Sequence, residues 1–307
     1  MNWDIYYKII KAIGIRYFLL ALFATILFYF IFKNKWRFKK IQPSFPQTKD
    51  YAREIGYSII TILIFAFIGY ITNFYEPVAK HTFRYSNINT YGWVWYIAAF
   101  PVMAIMHDAY FYWTHRLMHH PKLFKYLHLV HHKSTNPTPW AAYAFHPFEA
   151  VVEAGILIVF VFTLPLHLTH TFIFFFFMIV YNVYGHLGYE LYPKGFSKSV
   201  VGKWINTSVN HNQHHQYFKG NYGLYFLWWD RWMGTIRNDY DNRFEEVKGR
   251  SKDENVASLT ILFFDTSFSF LWHHRCELVL FLFLFSKKKQ ESILSTAYHW
   301  GTLIMFC

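Results

Sequence analysis

Two His-x-x-His-His repeats, His128/His131/His132 and His211/His214/His215, stand far apart in the chain, and a His-x-x-x-His pair, His115 and His119, precedes the first. On a helix, spacings of three and four return side chains to one face, so each repeat aims its imidazoles at one point. Neutral imidazole is the commonest metal ligand in proteins, and three such clusters carry enough nitrogen donors for two metal ions. Soluble di-iron bundles use glutamates and Glu-x-x-His instead. Here carboxylates are few, and imidazole suits iron, zinc and copper alike. Only two cysteines occur, Cys276 and Cys307, too few for a disulfide framework or a thiolate site.

The elements that must carry these histidines are membrane helices. Of the 307 residues, 54% are hydrophobic, 23% aromatic and only 16% charged, against about 25% charged in a soluble domain. The net charge of +12 comes from basic residues that flank apolar runs, which suits anionic lipid headgroups rather than nucleic acid. Apolar stretches at about 17–32, 59–74, 93–106, 151–166 and 171–184 are candidate spans. The last two form a hairpin about a turn containing Pro165. The first run lacks a small-residue cleavage site and is followed at once by lysines, so a retained span is expected rather than a signal peptide. The basic loop 33–53 assigns its side to the cytoplasm. Counting crossings then brings all three histidine clusters to that same face. The expected fold is all-α, a bundle of about four or five transmembrane helices with a cytoplasmic helical cap around a dinuclear metal site.

Metal held at the ends of membrane helices meets lipid chains, whose unactivated C–H bonds offer nothing to hydrolyse. O2 activation with external electrons is the chemistry that fits. The segments His107-Asp108-x-x-Phe111-Tyr112-Trp113-x-His115-Arg116-x-x-His119-His120, His128-x-x-His131-His132, Asn136-Pro137-Thr138-Pro139, Phe145-His146-Pro147, His211-x-x-His214-His215, Asn221-Tyr222-Gly223 and Trp229-Asp230-Arg231-x-x-Gly234-Thr235 resemble the fatty acid hydroxylase/sterol desaturase superfamily. The Asn-Pro-Thr-Pro segment leans toward its C5-sterol-desaturase-like branch. The resemblance implies a di-iron membrane enzyme of lipid biosynthesis that hydroxylates or desaturates a sterol, fatty acyl or sphingoid lipid. It implies two iron ions, zinc being able to take their place in isolated protein, and O2 as co-substrate. It also implies a separate electron donor of cytochrome b5, ferredoxin or reductase type, since the chain shows no haem- or flavin-binding motif. By position the ligands are His115, His119, His128, His131, His132, His211, His214 and His215, joined by His186 after the hairpin. Where some relatives have a further histidine, this chain has Asn182. No catalytic side chain beyond the ligands is implied. The expected location is a multi-pass membrane, endoplasmic reticulum in a eukaryote or inner membrane in a bacterium.

Around the ligands, His107, Asp108, His146, Asn182 and Glu190 are expected as outer neighbours, and Asp108, Glu149, Glu190 and Asp230 as acceptors for the second ring N–H of an imidazole. The aromatic run Phe174–Phe177 is expected to face lipid. Residues 1–90 form an N-terminal hairpin with its basic loop, 91–240 the catalytic region, and 241–307 a tail with an apolar segment. Two readings from other classes compete, a divalent-metal transporter and an inactive scaffold. Transporter ligands belong near the bilayer midplane, whereas these clusters lie at the ends of the spans among Arg116, Lys122, Lys125 and Lys133. Intact clusters argue against a scaffold.

Overall fold

A computed structural model describes residues 1–251. Within them the chain is predominantly helical, with one short parallel pairing, Arg84–Tyr85 with Leu166–His167, and two isolated antiparallel bridges, Lys40 with Tyr189 and Ile205 with Phe226. In a lipid environment every backbone polar group must be satisfied within its own segment, and helices meet that demand. Helix α1, Trp3–Thr25, starts on an Asn2 side chain that accepts from the N–H groups of Asp4 and Ile5, and continues as a π-helix over Ile26–Ile31. Helix α2 is Thr48–Phe74, opened by a reciprocal Gln47/Asp50 cap. A single turn, α3 (Glu76–Ala79), leads toward α4, Gly92–Met118. Two short helices, α5 (Pro121–Leu127) and α6 (Leu129–His132), follow. Then come the hairpin helices α7, Pro147–Thr163, and α8, Leu168–Gly185. The cap is completed by α9 (Ser208–Tyr217), α10 (Trp228–Trp232) and α11 (Tyr240–Gly249).

Among the described residues, four helices are long and apolar enough to cross a membrane, and α7 at 17 residues falls just short of them in length. Their outer faces carry Leu19, Phe23, Phe30, Val94, Ile97 and Phe172, all largely exposed. Exposed apolar side chains at this density belong in lipid. Inside, Tyr17, Ala21, Ile62, Met103, Ile156 and Phe160 form the bundle core. A second, smaller core of Ile41, Val209, Leu227, Phe244 and Val247 holds the cap together.

The helices overrun the expected spans. The first begins fourteen residues before position 17 and the second eleven before 59, so Lys49 and Arg53 ride on α2 and not in the basic loop. At 1.5 Å per residue, the 27 residues of α4 reach about 40 Å, enough to cross about 30 Å of hydrocarbon and carry the last turn beyond it. The cause is the same in each case: charged and aromatic residues continue a helix past the apolar run that hydropathy detects. The apolar region expected near 259–285 lies outside the described residues.

Candidate metal centre

Nine histidines converge in two groups. His115, His119, His128, His132 and His214 offer ligand atoms all within 4.8 Å of one another, and so do His131, His186, His211 and His215. His115 sits on the last turn of α4 and His119 caps that helix. His128 to His132 come from the start of α6 and its length, His186 caps α8, and His211 to His215 lie along α9. Successive helical residues point about 100° apart, so each His-His doublet feeds both groups. His132 and His214 turn to the five-membered group, His131 and His215 to the four-membered one. The two repeats are complementary. The first gives two rings to the larger group and one to the smaller, and the second does the reverse.

Hydrogen bonds fix which ring nitrogen is free. His115 Nδ1 donates to the Tyr222 carbonyl at 2.9 Å, His214 Nδ1 to that of Gly220 at 2.8 Å, and His186 Nδ1 to that of Asn182 at 2.8 Å. His128 Nδ1 lies 2.6 Å from Glu149 Oε1. A carbonyl only accepts, so Nδ1 carries the proton and Nε2 keeps a lone pair. Those lone pairs face each other. His186 Nε2 lies 3.3, 3.1 and 3.1 Å from Nε2 of His131, His211 and His215. His214 Nε2 lies 3.2 and 3.0 Å from those of His119 and His132. Metal–nitrogen bonds of about 2.0–2.1 Å at angles near 90–109° put ligand nitrogens about 2.9–3.4 Å apart. The residues present therefore fit a metal ion in each group. Burial and the neighbouring rings keep the imidazoles neutral, as ligands must be. Desolvation pushes His119 down to about 2 and His186 to about 4, and holds His128, His131, His132, His211, His214 and His215 well below the usual histidine range.

The surrounding residues depart from expectation. Of the four carboxylates, only Glu149 touches an imidazole. Asp108 accepts from the N–H groups of Tyr225 and Phe226 and from the Trp228 indole. Glu190 accepts from the N–H of Val209 in the first turn of α9, from Tyr192 N–H and from the Tyr184 hydroxyl. Asp230 accepts from Tyr222, Gly223 and Thr235. These three anchor the backbone around the site, and Asp230 does so next to the carbonyl that holds His115. His107 bonds the Tyr225 hydroxyl at 3.0 Å and no ligand, and His146 caps α7, its N–H donating to Glu149 while its ring contacts no ligand histidine. The Asn182 side chain donates to the Ala142 carbonyl, and its own carbonyl is what orients His186. The carbonyls of Gly220, Tyr222 and Asn182 carry no side-chain signature, which is why residue types could not reveal their role. Gly188, two residues after His186, has φ of +73°, and a Cβ there would meet the Tyr29 hydroxyl at 2.8 Å. Only glycine turns the chain here.

A cavity of about 820 Å³ lies within the bundle; no ligand histidine lines it, and it comes nearest to the centre at Phe145, which packs on His131. Its far end is lined by Ile5, Phe74 and Leu168 and its near end by Tyr143, Phe145 and Asn182. Along α8, Leu168 and Asn182 are about 21 Å apart at 1.5 Å per residue. The Phe145 ring centroid is 5.1 Å from that of His131. The phenylalanine run is split by this cavity: Phe175 lines it and Phe174 packs on Phe160 and His107, while Phe176 and Phe177 are exposed as expected.

Residues 100–235 match the fatty acid hydroxylase family. The chain is 33% identical over 224 residues to the Delta(7)-sterol 5(6)-desaturase ERG3B of Gibberella zeae, covering 72% of this chain and 65% of that protein. It is 31% identical over 237 residues to the Delta(7)-sterol 5(6)-desaturase erg3C of Aspergillus fumigatus, covering 70% of each. With the lathosterol oxidase of Rattus norvegicus it shares 29% identity over 239 residues, 77% of this chain and 75% of that one. No solved structure matches it.

Proposed function

Because the chain belongs to the fatty acid hydroxylase/sterol desaturase superfamily, on its C5-sterol-desaturase-like branch, we propose that this membrane lipid oxidoreductase introduces a 5(6) double bond into a Δ7-sterol at a di-iron centre. The observation that carries the reading is the approach of a long apolar cavity to the two all-histidine groups, with Phe145 on its wall packed against His131. A rigid, elongated, mostly apolar lipid suits a channel about 21 Å long whose wall is chiefly hydrophobic. The reaction balances as two hydrogen atoms from adjacent carbons, O2, two electrons and two protons yielding the alkene and two waters.

Iron held by the two groups would supply O2 activation and C–H abstraction. The chain's own residues do the rest. Glu149 and the carbonyls of Tyr222, Gly220 and Asn182 hold the rings with Nε2 aimed inward. Phe145, packed on His131, forms an apolar wall between the cavity and the histidines and excludes water there. Electrons come from a partner of cytochrome b5, ferredoxin or reductase type, and no nucleic acid is involved. The basic loop is bonded to the strip after His186, with Ile41 N–H donating to Gly188 O and Glu190 N–H to Lys39 O. Loop and metal centre therefore share a face, and the positive-inside rule makes that face cytoplasmic.

The test is metal content of detergent-purified protein beside His131→Ala and His214→Ala, followed by conversion of a Δ7-sterol to the conjugated diene with an added electron donor. Two irons per chain are expected, each variant losing about one, since each touches a different group. Well-folded protein without metal, or with metal but no sterol turnover under any donor, sinks the reading.

A further inference from the structure

The polar groups on the cavity wall are mostly spoken for. Arg16 Nη1 donates to Phe172 O, His107 bonds Tyr225, Asn182 donates to Ala142 O, and Thr169 pairs with Tyr96. Glu153 differs: it lines the cavity, and among the described residues no donor reaches its carboxyl group. An ionisable side chain facing an apolar cavity without a partner is costly, and such residues inside membrane proteins mark binding sites. Its position is informative. Glu153 lies one helical turn beyond Glu149 on α7, about 6 Å along the axis, and Glu149 is the residue 2.6 Å from His128.

We propose that Glu153 recognises the hydroxyl group of the lipid substrate, its carboxyl oxygen accepting a hydrogen bond from that O–H and so fixing which carbons reach the histidines. The assignment rests on the sterol reading above and deepens it. A sterol carries its hydroxyl on C3, two and three bonds from C5 and C6. A hydroxyl held one turn from Glu149 places those carbons near the metal end and leaves the side chain to fill the cavity toward Phe74 and Leu168. The same geometry explains why a substrate lacking the hydroxyl would bind poorly: the cavity would then bury an unpartnered carboxyl group. Tyr143, whose hydroxyl also has no hydrogen-bond partner among the described residues, is the rival group for that O–H and is tested beside Glu153.

The experiment is equilibrium binding of a radiolabelled Δ7-sterol to the full-length protein, competed with the unlabelled sterol or its 3-deoxy counterpart. Glu153→Leu, Glu153→Gln and Tyr143→Phe are compared with wild type, and metal content confirms that each is folded. Wild type should favour the sterol over the 3-deoxy compound by about 10- to 100-fold, and Glu153→Leu should reduce that to within roughly twofold by weakening the sterol alone. Glu153→Gln should keep much of the preference, because an amide oxygen also accepts, and Tyr143→Phe should leave it intact. The proposal falls if Glu153→Leu keeps the preference, if it weakens both ligands equally, or if Tyr143→Phe erases it. Wild type binding both compounds equally overturns the role of Glu153 and leaves the sterol reading standing, and wild type binding neither overturns both.

Discussion

Among the described residues, Glu149 is the one carboxyl group in contact with a ligand ring, buried and 2.6 Å from His128 Nδ1. It fixes the tautomer of His128 and makes its Nε2 a stronger donor, while the other oriented rings rely on neutral carbonyls. Glu149→Gln keeps an acceptor at that position but removes the carboxyl group that can ionise against a metal-bound ring. Iron affinity of the five-histidine group should fall by about 10- to 100-fold, with the four-histidine group unaffected. Chelator competition on the purified variant reads this as loss of about one iron of two; unchanged retention of both would show that the carboxylate is dispensable. The ligands themselves were legible in the sequence because their spacing is the helical repeat and their side chains do the chemistry. The carbonyls that orient them were not, since a backbone oxygen belongs to every residue type.

At the scale of elements, the existence of the apolar helices followed from hydropathy, and their ends did not. Charged residues such as Lys8, Lys11 and Asp50 lie on the helices that hydropathy truncates. Asp108, Glu190 and Asp230 show a second limit: sequence revealed carboxylates near the clusters but not that their partners are N–H groups of the loops at 222–228 and of α9. The order of the helices nevertheless carries a test of topology. Lys133, beside α6, and His81, after α3, are both exposed, and α4, long and apolar enough to cross a membrane, lies between them in the chain. In a background with Cys276 and Cys307 replaced by serine, Lys133→Cys should react with a membrane-impermeant maleimide applied from the cytoplasmic side. His81→Cys should react from that side only after permeabilisation. Equal labelling of both in sealed vesicles would contradict the orientation that the basic loop implies.

For the molecule as a whole, the metal centre and the fold are coupled through protons. The histidines outside the spans titrate well below their ordinary range in the folded chain, His186 at about 4, because burial excludes the imidazolium. An unfolded histidine titrates near 6.5. With the folded value depressed, protonation favours the unfolded chain: stability is fully present above about pH 6.5 and is lost as pH falls toward the folded value. Each group that takes up a proton on unfolding adds about 1.4 kcal/mol of destabilisation per pH unit, and several act together. Metal bound to the same nitrogens stabilises the folded chain further, since the unfolded chain holds no preformed site. Detergent-purified protein should therefore unfold at a nearly constant temperature from pH 8 to 7 and at steeply lower temperatures from 6.5 to 5. Stripping the metal at pH 7.5 should lower the transition without unfolding the bundle, whose core of Tyr17, Met103, Ile156 and Phe160 lies apart from the ligands. A transition that stays level down to pH 5 would mean that the rings are charged or solvated in the folded protein, and a centre built from neutral, buried imidazoles could not stand.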